Sequence, residues 1–197
     1  MSIVERARNI LFTPKTEWTI IAGETATVAS LLTSYVIPLS LIPVLAVIIK
    51  GVMWPAGLLG MHFIIMSAVR TFVISILTFV ITAYVVDLLA VNFRSEKNIN
   101  RSAQLVAYAS TGYWVATILS IVPFVGWLGI IAGASYSVFL MYLGVGPLKK
   151  TQEDQAIVYV IISIVIMVVV MFVIEAIFNA LFFVSAVGIG FWGQHHI

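Results

Sequence analysis

Cysteine is absent from this 197-residue chain, which excludes a disulfide framework, a thiolate metal site and a cysteine nucleophile. Charge is nearly as scarce. Only 9% of the residues are charged, whereas soluble domains carry about a quarter. The net charge of +2 is scattered among apolar runs, which excludes the basic face that nucleic-acid binding needs. Residues 1–8 lack the apolar stretch of a cleavable signal peptide. The sequence holds no H-E-x-x-H, no G-x-S-x-G, no Walker loop and no histidine pair at i,i+4. His62 stands alone, and His195-His196 has no carboxylate nearby in sequence, so no metal site, cofactor or catalytic set is expected.

Apolar residues make up 62% of the chain and fall into long runs. The expected fold is an all-α integral membrane protein, a bundle of five transmembrane helices over residues 30–190. The spans are placed at 31–49, 64–90, 103–122, 127–145 and 156–187, each long enough to cross a hydrocarbon core. Before them, residues 1–29 read as a cytoplasmic amphipathic segment containing a short interfacial helix. Thr13-Pro14 suits a helix start, and Trp18 beside Lys15 suits a membrane interface with its N–H kept wet. Residues 191–197 form a short external tail, with Trp192 as an anchor.

Several residues inside the spans call for a reason. Pro38 and Pro43 each remove a backbone donor from the first span and are expected to kink it. Ser67, Thr71, Ser75, Thr78 and Thr82 form a narrow polar stripe on the second. Such hydroxyls bond their own backbone or a neighbouring helix more often than they line a pore. Gly129, Gly133 and Ser137 recur every four residues on the fourth span and predict a close helix crossing. Gly146-Pro147 is expected to stop that helix, and Thr151-x-x-Asp154 resembles a capping box opening the fifth. Asp87 is read as solvated, together with Glu96, Glu153 and Asp154. Counted from the cytoplasmic ends at about 1.5 Å per residue, Arg70 and Glu175 lie about 31 and about 28 Å deep. Opposite charges at one depth in hydrocarbon should pair, with Asn179 adding a hydrogen bond.

Orientation follows from the basic residues. Arg6, Arg8, Lys15, Arg94, Lys97, Arg101, Lys149 and Lys150 fall on one side, and only Lys50 falls on the other. That bias places the N-terminus in the cytoplasm and the C-terminus outside a cell inner (plasma) membrane.

Certain stretches carry a family likeness. They are Asn9-Ile-Leu-Phe-Thr-Pro-Lys15 with Glu17-Trp18, then 105–115 (LVAYASTGYWV), then Ile121-Val-Pro-Phe-Val-Gly-Trp127 and Tyr142-Leu-Gly-Val-Gly-Pro147, followed by Lys150-Thr-Gln-Glu-Asp154. In these the chain resembles the Yip family, five-span membrane proteins named for interaction with Ypt/Rab GTPases, and most of all its prokaryotic members. The resemblance implies a fold and a membrane address. Eukaryotic relatives bind GTPases partly through a long cytosolic N-terminal region with a D-L-Y-G-P-like motif, which these residues do not contain, so GTPase recruitment is not carried over. The expected function is that of a non-enzymatic membrane protein acting through helix packing and through contacts with the lipid bilayer, a second copy or a membrane-protein partner. The alternative is a small transporter or channel using Arg70, Glu175 and the proline-bearing first span.

Overall fold

The computed structural model describes residues 1–54 and 60–193, with side chains described as far as Ala180. Every element among the described residues is helical: α1 (Ile3–Phe12), α2 (Pro14–Gly23), α3 (Val28–Leu31), α4 (Ile37–Met53), α5 (Gly60–Leu89), α6 (Ile99–Ala109), α7 (Thr111–Ala116), α8 (Gly126–Lys149) and α9 (Glu153–Gly193). Four stretches are long and apolar enough to cross a membrane, namely Val28–Met53, Gly60–Phe93, Gly126–Lys149 and Glu153–Ala180. Large apolar side chains on their outer faces are exposed, as a chain solvated by lipid requires.

The third expected span, 103–122, is not one continuous helix. It breaks into α6, α7 and a 3₁₀ stretch, Thr117–Ile121. The break has a local cause. At Tyr113 the backbone N–H donates to Ser137 Oγ on α8 at 2.8 Å, while Ser110 Oγ bonds back to the Val106 carbonyl at 2.7 Å. Both contacts draw on groups that a regular ladder would use. From Ser102 to Ala109, α6 is buried on every side, so it forms the core around which the longer helices pack.

Prolines interrupt less than their chemistry suggests. Pro38 follows a π-helical turn, Leu32–Val36, in which the Ile37 N–H reaches back to the Leu32 carbonyl. This wider turn lets the helix continue past the missing donor. Pro43 is buried within α4. Pro147 does not stop α8, which runs on to Lys149 and ends where Lys150 turns left-handed. Nor does Thr151 cap α9. Its hydroxyl is taken by Ser95 Oγ at 2.8 Å, and the helix opens at Glu153 behind the Gln152 carbonyl.

The N-terminal segment also differs from the expected single surface helix. It is a hairpin of two helices, with Ser2 capping α1 and Pro14 opening α2. Trp18 is fully buried, not at an interface, and its indole N–H has no partner among the described residues. It docks where Gly144 stands, since a Cβ there would lie 2.7 Å from Trp18 Cε2. His195 and His196 and the side chain of Trp192 fall outside the described residues.

Candidate functional site

Polar side chains gather in two places. One is the end of the bundle where α1, α2 and the α5–α6 and α8–α9 connections meet; the other lies far up α5 and α9.

In the first, Arg6 is buried within the N-terminal hairpin and forms ion pairs with Glu17 and Glu24. Its guanidinium also lies 5.5 Å from the centre of the Tyr108 ring. Burial works against the charge of Arg6, but the hydrogen bond it donates to Glu24 and the surrounding negative groups outweigh it, so its pKa stands above the ordinary arginine value. Tyr108 meets Tyr35 and Trp18 edge-on, and Tyr35 shares a 2.8 Å hydrogen bond with Thr111. Below this, Arg101 Nη1 donates to the Glu24 carbonyl and to Gln104 Oε1, both at 2.9 Å. The hairpin is thereby tied to α6 at Tyr108 and again at Arg101.

Alongside sits a second buried cluster. Lys149 is 0% exposed, and its ammonium donates to Ser102 Oγ at 2.6 Å and to Asp87 Oδ1 at 3.3 Å. Asp87 is therefore buried, not solvated, and Lys149 is no loop charge. Lysine suits the position because three ammonium donors can serve Asp87, Ser102 and the Asn98 carbonyl together. These contacts join α5, α6 and α8. The neighbouring Lys150 is exposed and pairs with Glu96 at 2.8 Å, while the Glu96 N–H donates to the Lys149 carbonyl at 2.7 Å.

In the second place, the Arg70 guanidinium on α5 forms an ion pair with the Glu175 carboxylate on α9, both about one third exposed. Arg70 Nε is buried without a partner. Asn179, one turn along, is exposed, with no hydrogen bond to the pair among the described residues. A register explains the meeting. Tyr159 Oη on α9 donates to the Val86 carbonyl on α5, and sixteen residues separate each of these from Glu175 and Arg70. Two antiparallel helices of equal rise thus bring both pairs level. Between them, the hydroxyls of Thr78, Thr82 and Ser163 are buried without partners, while Thr71 and Ser75 bond back to their own helix at 2.8 Å.

Gly129 and Gly133 are buried on α8 against the 111–121 segment. A Cβ on Gly133 would run into Ala116 Cβ and approach the Gly112 carbonyl to 3.0 Å. The close crossing lies within the chain, with Ser137 supplying the Tyr113 hydrogen bond.

The ties at the bundle end escape a reading by hydropathy. Asp87 and Lys149 each stand at the edge of an apolar run, where charge normally marks the water. The signal available was their opposite sign at matching ends of two spans. For Arg6 it was the four-residue step to Ile10, which puts both on one helix face.

Comparison with curated proteins and with solved structures gives no match. A family model does match: the Yip1 domain, over residues 8–174, which takes in the hairpin from Arg8 onward, α6 with its ties, the close crossing on α8 and the first half of α9, ending just before Glu175. The chain belongs to the Yip1 domain family.

Proposed function

We propose that this protein is a non-enzymatic, five-span protein of a cell inner membrane. Its N-terminus is cytoplasmic and its C-terminus outside, with the broken α6–α7 segment making the third crossing. It acts by presenting a firmly tied bundle to lipid, to a second copy or to a membrane-protein partner. One observation carries the reading: among the described residues, the charged groups drawn into the bundle, whether fully buried or partly exposed, are engaged with each other across elements. Arg6 joins Glu17 and Glu24, Lys149 joins Asp87 and Ser102, and Arg70 joins Glu175. Groups used in this way hold helices in register and are engaged with each other rather than poised to bind and release a solute.

The pair in the apolar region gives the direct test. Arg70→Ala and Glu175→Ala should each lower the unfolding midpoint in detergent, and the double variant should cost less than their sum, by about 1 kcal/mol or more of coupling. Strict additivity would show that the two charges do not act as a tie.

A further inference from the structure

The N-terminal hairpin stands along α8. Three contacts set its height: Arg101 holds the Glu24 carbonyl at its base, Trp18 sits against Gly144 midway, and Tyr136 Oη donates to the Leu11 carbonyl near its tip. Thr13 lies five residues beyond Trp18, so at about 1.5 Å per residue the tip rises about 8 Å past Gly144. That direction leads away from Lys149 and toward the apolar middle of α8. At this level α8 turns Val138, Phe139 and Tyr142 outward, and Phe139 leans on Tyr136. The tip therefore joins the same outward surface that lipid must cover.

At the tip stands Phe12, 78% exposed. Water would not favour an aromatic ring in that position, and α8 offers it no pocket. Arg8, one turn back on α1, and Lys15, at the start of α2, are both exposed and are left out of the ion pairs that engage Arg6. Glu5, the nearest exposed carboxylate on α1, lies a further turn toward the base. The order along the hairpin is thus an apolar ring at the top, two cations without an ion-pair partner among the described residues just below it, and an acid only toward water. A phospholipid leaflet presents the complementary order, with acyl chains above and phosphates below.

We propose that the α1–α2 tip is a site for anionic phospholipid, in which Phe12 enters the acyl region of the leaflet and Arg8 and Lys15 hold the phosphate groups. The site rests on the reading of the chain as a multi-pass membrane protein but not on which side its N-terminus faces. Vesicles with identical leaflets separate the two questions.

The full chain reconstituted into phosphatidylcholine vesicles containing phosphatidylglycerol serves for both measurements. Because the chain has no cysteine, Phe12→Cys gives a single site for a nitroxide label. The label should be more accessible to dissolved oxygen than to a water-soluble nickel chelate; the opposite order overturns the proposal. Spin-labelled phosphatidylglycerol should associate with the unlabelled protein in preference to spin-labelled phosphatidylcholine. Arg8→Gln and Lys15→Gln should each cut that preference at low salt, by up to about fivefold per cation, and 1 M salt should do the same to the unaltered chain. Both side chains are exposed, so unchanged melting in detergent checks that the variants remain folded. A double variant that melts normally and keeps the full preference overturns the proposal.

Discussion

At the scale of single residues, charge in this chain works by position. Lys149 and Lys150 are neighbours, yet one is sealed among Asp87, Ser102 and the Asn98 carbonyl while the other reaches out to Glu96. Removing a partner from the sealed cluster would strand a buried charge, whereas the outer pair is screened by water. The hydrogen bond from Lys150 holds the Glu96 carboxyl below the usual carboxylate range, with Asn98 contributing at 3.4 Å. A carboxyl whose folded pKa is depressed adds stability that is complete above its unfolded pKa and is lost as pH falls through the folded one. Glu96→Gln should therefore cost a small, constant amount, under about 1 kcal/mol, down to about pH 5. The difference should vanish on further acidification. Unfolding of both proteins in detergent across that range measures it, and a difference that grows with acid would contradict the assignment.

At the scale of elements, the crossing of α8 over the 111–121 segment is the tightest seam, because Gly133 leaves no space for a Cβ beside Ala116. Gly133→Leu should destabilise by about 1–3 kcal/mol, as overpacking does in other cores. Val138→Leu, one turn and a residue away on the outward face, should change little. Equal melting temperatures would remove the seam from the account. Small residues every four positions point to a close crossing from the sequence, and a Cβ on Gly133 would meet Ala116. The four long apolar helices were legible for a similar reason, since hydropathy reports directly on contact with lipid. Hydropathy says less about a segment surrounded by protein. Thus hydropathy alone predicts a uniform third span over 103–122, while Ser102, Gln104 and Thr111 are buried among partners and α6 ends early. Trp18 departs from expectation on the same ground: an indole near a lysine suits an interface, but Gly144 far along the chain opens a seat for it. Pro147 likewise sits in the last turn of α8, where losing one backbone donor does not end the helix.

At the scale of the molecule, two features organise everything else. One is the buried α6 core with the hairpin tied to it; the other is the antiparallel α5–α9 pair, in register from Tyr159 to Glu175. The asymmetry of basic residues supports the proposed orientation of this assembly. Reporters fused after Ile197 and within 98–100 should lie on opposite sides of the membrane, the first outside and the second inside. Signals from one side only would mean an even number of crossings between those points. The central claim is that the paired charges hold helices together and form no route for a solute. Purified protein in liposomes loaded with ions or small solutes tests it most directly. Vesicles containing the unaltered chain or Glu175→Gln should be as tight as protein-free vesicles. Selective flux through the unaltered chain, lost in Glu175→Gln, would contradict the account.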